Sequence, residues 1–156
     1  MNKLIKNVIA IAAIVAIVFF TNKGVQSYLG EQALEDLAFE VHEFDAAMEL
    51  AESEGKLVLA DYSAIWCPSC RKLDKEVFAN PDVANYIKNN YVFTRVDHDT
   101  ASGAEFARKY AVVGFPRVLI LNAKGDKLSE LPLSFESTQY KANLSKAFHA
   151  FSSRSY

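Results

Sequence analysis

"DYSAIWCPSC", residues 61–70, holds the one Trp of the chain and both of its Cys, and it stands at the end of an apolar run. In an oxidising compartment, two cysteines ordinarily form a structural disulfide. Such a bridge stabilises by restricting a long loop of the unfolded chain, and a Cys-x-x-Cys loop restricts very little. A loop this tight also strains the bond, which makes it easier to reduce and suited to exchange. Position adds a second reason. Lys56 to Ser63 (KLVLADYS) is a nearly continuous apolar run, as in a strand covered on both faces, and residues 68–79 read as a helix. Cys67 therefore falls where the strand has ended and the helix begins, where unpaired N–H groups and the helix dipole favour the thiolate. A free cysteine has a pKa of about 8.5, and sites of this kind lower it to about 7 or less. Pro68 suits a first helical turn, since its missing N–H costs nothing there. Cys70, one turn on, is expected to face inward as the resolving thiol.

Asp61 lies six residues before Cys67, inside the apolar strand. An unpaired carboxylate there costs several kcal/mol to bury and tends to keep its proton. Such a group can take the proton from Cys70 as it attacks a mixed disulfide. The competing reading is an Asp near a strand edge that caps a backbone group. Arg95 either points toward Asp61 and tunes it or lies along the surface with its stem on apolar neighbours.

Around this core the elements alternate. Phe39–His42 reads as a short edge strand and Asp45–Glu54 as a helix closed by Gly55. Asn80-Pro81 opens a short helix through about Lys88, followed by a strand at Tyr91–Asp97, a helix at Gly103–Tyr110 and a strand at Arg117–Asn122. Ala123-Lys124-Gly125-Asp126 turns into a last strand near Lys127–Leu131, and Ser137–Phe151 closes as a helix. This order implies an α/β sandwich with a mixed central sheet flanked by helices, parallel where helices intervene and antiparallel at the hairpin.

Ahead of it, Lys3 and Lys6 precede thirteen residues, Val8–Phe20, without a polar side chain, and a polar break follows. Residues 1–24 thus have the layout of a signal peptide or N-terminal membrane anchor. No small-x-small site closes the apolar stretch, which favours an uncleaved anchor through residues 4–20 over a cleaved peptide. The lysines favour an N-in orientation, with residues 25–38 as a spacer or first helix and 39–156 as a domain outside the cytoplasm, periplasmic or secreted. Residues 25–156 carry 14 basic and 19 acidic side chains, a net charge of −5, which gives no footprint for nucleic acid.

The stretch LVLADYSAIWCPSC resembles the thioredoxin superfamily: an apolar strand, a buried Asp and Trp-Cys-x-x-Cys at the same separation. Val113-Gly114-Phe115-Pro116 is similar to the second signature of that family, a turn with a cis bond before Pro. The resemblance covers about residues 39–151. It implies a thioredoxin-like three-layer sandwich and a protein-disulfide oxidoreductase that needs no cofactor, expected as a monomer. In that reading Cys67 attacks, Cys70 resolves, Asp61 relays the proton, and Trp66, Pro68, Ser69, Phe115 and Pro116 bind the partner chain. The partners implied are protein disulfides and an upstream thiol electron donor. The insert EVFANPDVANYIKNNYV is more similar to the C-terminal extracytoplasmic domain of transmembrane thiol:disulfide interchange reductases than to plain thioredoxin. Pro-Ser in place of Gly-Pro leaves the potential open, Arg117 after Pro116 leaves the partner surface open, and the lack of a His in the dipeptide favours a reductant.

Two rival readings stand beside this one. Two thiolates on such a turn can hold Cu(I), as in a metallochaperone-type relative. A zinc site would need His42, His98 and His149, which lie on scattered elements without ligand spacing, so no metal site is assigned. A redox-silent binding module would have no use for both cysteines and Asp61.

Overall fold

The computed structural model describes residues 2–152, so Met1 and the last residues of the 39–156 domain, 153–156, lie outside the described residues. The chain begins with one long helix, α1 (Lys3–Glu35), followed by α2 (Phe44–Glu54) and β1 (Leu57–Ser63). Next come α3 (Pro68–Leu73), which widens into a π-helical turn over Asp74–Phe78, then α4 (Pro81–Asn90) and β2 (Tyr91–Asp97). The remaining elements are α5 (Ala101–Tyr110), β3 (Arg117–Leu121), β4 (Lys127–Glu130) and α6 (Ser137–Phe151).

The four strands form one mixed sheet in the order β2-β1-β3-β4. β1 runs parallel to β2, its crossover partner, and antiparallel to β3, while β3 and β4 form the expected hairpin. All seven residues of β1 are buried, as its unbroken apolar pattern requires of a central strand covered on both faces. Leu57 and Leu59 point to one side, where they pack with Leu73 of α3, Val77 and Phe78 of the π-helical turn and Tyr140 and Leu144 of α6. Val58, Ala60 and Tyr62 point to the other side, against Ala47 and Ala51 of α2 and Phe106 and Tyr110 of α5. Helices thus cover both faces of the sheet, which gives the three-layer α/β sandwich that the alternation of elements implies.

Several boundaries differ from the pattern-based reading. Phe39–His42 is not an edge strand. Only His42 pairs, in a single parallel bridge to Thr94, because Phe39 turns inward onto Phe78 and Phe93. Residues 25–35 are helical and continuous with the apolar segment. The expected helix over 68–79 is two kinds of turn, since Asp74 accepts from Ala79 N at 2.8 Å across the wider π spacing. Gly55 ends α2 with φ of 64°, a left-handed conformation that Gly adopts without the strain of a Cβ.

Candidate active site

β1 delivers the chain to the site and α3 carries it away. Cys67 is the residue that caps α3, with Pro68 at the first helical position. Its Sγ accepts the Cys70 backbone N–H at 3.1 Å and lies 3.1 Å from Ser69 Oγ. A sulfur at a helix N-terminus therefore takes two of the contacts that stabilise a thiolate. Cys67 and Cys70 are joined as a disulfide with Cα atoms 5.3 Å apart. Cys67 is only 4% exposed, less open than the attacking role expected of it from the sequence would suggest, because Ala64, Trp66 and Phe115 pack around the pair. Pro68 is exposed and Ser69 half-buried.

Trp66 and Phe115 make the lip of the site. Their rings meet edge to face with centroids 5.6 Å apart. The Trp66 indole N–H donates to Asp99 Oδ2 at 2.7 Å. Phe115 precedes a cis bond to Pro116, and Pro116 is buried. Arg117 points away, to Glu130 Oε1 at 3.0 Å. Of the three histidines, His98 stands at this lip, 4.8 Å from Phe115 between ring centroids and 2.6 Å from Tyr62 Oη through Nδ1. Among the described residues, no group of three or more His, Cys, Asp and Glu side chains converges to hold a metal ion.

Asp61, Arg95 and Asp74 form a buried charged cluster between β1, β2 and the π-helical turn that follows α3. Asp61, 1% exposed, sits on the α3 face of β1, and its register partner on β2 is Arg95. Arg95 Nε is 3.0 Å from Asp61 Oδ2, an ion-pair contact without hydrogen-bond alignment, while its terminal nitrogens donate to both oxygens of Asp74. Asp61 Oδ1 has no hydrogen-bond partner. Burial pushes the Asp61 carboxyl up from 3.8 to about 7, Arg95 opposes the rise, and Asp74 adds to it. Burial alone would lower Arg95, but Asp61 and Asp74 together outweigh it and hold the guanidinium charged. One cation thus faces two buried carboxylates, an arrangement in which a proton is most easily kept on Asp61.

Of the residues singled out from sequence, Cys67, Cys70, Trp66, Phe115 and Pro116 are brought to one end of the sheet, while Asp61 lies within β1, paired with Arg95 of β2. Arg95 takes the inward of its two readings. Asp74, Asp99 and Lys23 belong to the same neighbourhood without having been singled out. Asp74 had a signal, since it lies four residues after Cys70 and so on the same helix face. Asp99 and Lys23 had none, being joined to Trp66 only by the tertiary fold. The hydrogen bond from Trp66, then that from Lys23, holds Asp99 below the usual carboxylate range.

Residues 44–147 match the family described as "Thioredoxin-like domain", a span that takes in β1, the cysteine pair, the cis-Pro turn and most of α6. The chain belongs to the thioredoxin-like family. Among thioredoxin-like relatives, it is 36% identical over 86 residues to the thiol:disulfide interchange protein DsbD 2 of Pseudomonas aeruginosa. That match takes in 54% of this chain and only 15% of the relative. The solved DsbH oxidoreductase superposes with a TM-score of 0.63 at 18% identity, over 71% of this chain and 85% of that one. The oxidised C-terminal domain of Neisseria meningitidis DsbD superposes with a TM-score of 0.57 at 20% identity, over 69% and 99%. At these identities the two structures speak for the thioredoxin-like fold alone.

Proposed function

We propose that the chain is a thiol:disulfide oxidoreductase that acts on protein disulfides outside the cytoplasm, as a reductant, anchored in the membrane through residues 4–20. The observation that carries this reading is the disulfide at the cap of α3, reached from β1, a strand that also holds a buried acid poised near neutrality six residues before Cys67. The similarity to a thiol:disulfide interchange protein supports it, as does α1, a helix long and apolar enough to cross a membrane.

The exchange runs in two steps. With the pair reduced, the Cys67 thiolate attacks one sulfur of a partner disulfide. The partner S–S bond breaks, a mixed disulfide forms, and the partner's leaving thiolate takes a proton from water. Cys70 then gives its proton to the Asp61 carboxylate and attacks Cys67 Sγ. The Cys67–Cys70 bond forms, the second partner thiolate leaves, and two electrons have passed from this chain to the partner. Trp66, Phe115 and Pro116 hold the partner chain across the lip, and Pro68 and Ser69 set how readily the pair opens and closes. An upstream thiol donor then returns two electrons to the pair.

Reduction of insulin disulfides by dithiothreitol tests the activity. The full chain should accelerate it, Cys67→Ser should abolish the acceleration, and Cys70→Ala should accumulate mixed disulfides. A wild type no faster than Cys67→Ser would end this reading.

A further inference from the structure

α1 is one unbroken helix whose halves meet different surroundings. In its first half the large apolar side chains stand clear of the domain, Leu4 at 74% exposed and Phe20 at 69%. In its second half Lys23, Gln26, Ser27, Gly30, Ala33 and Leu34 recur at three- and four-residue spacing and are partly or fully buried. That face lies on the active-site segment itself. A Cβ on Gly30 would stand 2.0 Å from the Ile65 carbonyl oxygen, so the helix backbone touches the chain two residues before Cys67. The Arg71 guanidinium, one residue past Cys70, donates to Gln26 Oε1. Lys23 Nζ pairs with Asp99 Oδ2 at 3.1 Å and sits 5.0 Å from the centre of the Trp66 ring.

These contacts fix where the lip lies relative to a membrane. At 1.5 Å per residue, Lys23 is only about 5 Å along the helix from Phe20, the last residue of the apolar run. Each interfacial layer of a bilayer is about 5–7 Å deep. With residues 4–20 in the hydrocarbon, Lys23 and Trp66 fall in or beside that layer, where lysines and tryptophans are at home. Val113, 83% exposed in the loop leading to Phe115 and Pro116, adds an apolar tip near the same lip.

We propose that the second half of α1 is a bracket that holds the Trp66–Cys67 lip against the membrane surface, so that its thiol partner is a membrane protein presenting its cysteines in the headgroup layer. The inference rests on the anchor and exchange readings above. A partner that must reach Cys67 beside α1 has to lie at the same depth, which a membrane-embedded protein does without losing further translational freedom.

Trp66 is the only Trp, so its fluorescence reports the depth of the lip. The full chain is placed in phosphatidylcholine vesicles with a nitroxide on the headgroup and compared with a variant carrying a flexible Gly/Ser insertion after Asn22. The insertion leaves the docked half of α1 in place and frees the domain from the bilayer. Trp66 should be quenched in the wild type and not in the variant, while both reduce soluble insulin equally. A disulfide peptide tethered to a lipid headgroup should be reduced at least about tenfold faster by the wild type than by the variant. A chain that sediments with the vesicles yet leaves Trp66 unquenched, or equal rates on the tethered peptide, would overturn the bracket alone. Failure to sediment with the vesicles overturns the anchor and the bracket together, and failure to reduce insulin overturns the exchange reading and the partner with it.

Discussion

In the proposed cycle Asp61 holds a proton in one half and loses it in the other, and its surroundings suit both. Full burial raises it, Arg95 restrains the rise, and the result is about 7 instead of 3.8. A carboxyl that much higher and still buried would stay protonated and could not accept from Cys70. One at its ordinary value would be too weak a base to help. Asp61→Asn should therefore leave the first attack on a disulfide near the wild-type rate and slow resolution by about a hundredfold. The resolution rate should rise with pH through about 7 in the wild type, as the carboxylate forms, and lose that inflection in the variant. Rapid acid quenching and mass analysis of the mixed disulfide would measure both steps, and equal slowing of the two would sink the relay.

The same shift has a thermodynamic side. A carboxyl whose folded pKa lies above its unfolded value binds its proton more tightly in the folded state. Its unfavourable burial is thus absent below about 4, grows as pH rises, and is complete above about 7. Roughly three pKa steps correspond to a ceiling of about 4 kcal/mol. Urea unfolding of the oxidised proteins at about pH 4.5 and about pH 8 should show the wild type losing about 2–4 kcal/mol relative to Asp61→Asn. A constant difference between them would mean that Asp61 is already ionised in the fold. At this scale the sequence marked Asp61 by polarity inside an apolar strand and offered Asp74 by helical spacing. Lys23 and Asp99 are separated by 76 positions, and no local pattern announces their meeting at Trp66.

At the scale of elements, legibility followed periodicity. β1 and the helices on either side of it in the chain could be read because burial on both faces, Pro at a first turn and Gly at an end each leave a local mark. Phe39–His42 misled because its alternation is right for a strand, whereas Phe39 is worth more inside an aromatic cluster than on a sheet edge. The length of α1 was hidden for another reason: Lys23 and Gly24 look like a break after an apolar run. Gly24 has nothing within 4 Å of its missing Cβ, so the helix continues there without a packing demand, at the ordinary cost of a helical Gly of about 1 kcal/mol relative to Ala. The docked turns that follow, held at Gly30 and Arg71, repay that cost and keep the two halves in one line.

For the molecule as a whole, the quantity on which the proposed exchange turns is the potential of the Cys67–Cys70 couple, because it sets the direction of electron flow. A strong oxidant owes its potential to a reduced form that the protein stabilises, chiefly by favouring the thiolate. Here the stabilising contacts on Cys67 are one backbone N–H and one hydroxyl, from Cys70 and Ser69, with no imidazole in the dipeptide. Against them stand Asp61 in the strand that leads to the pair and Asp74 one helical turn past Cys70, sharing a single guanidinium, and a surplus of five acidic side chains over residues 25–156. Negative charge on that side disfavours a second negative charge on sulfur, so the dithiol form gains little and the disulfide is the better-tolerated state. Equilibration with glutathione buffers should place the couple below about −200 mV, on the reducing side of the range that such sites span. A value near −120 mV would reverse the direction and make the chain a donor of disulfides. Arg95→Met separates the causes. With the guanidinium gone and both acids left without their cation, thiolate is disfavoured further and the potential should move lower still, whereas an unchanged value would show that the charged cluster serves proton transfer and leaves the poise to the helix terminus.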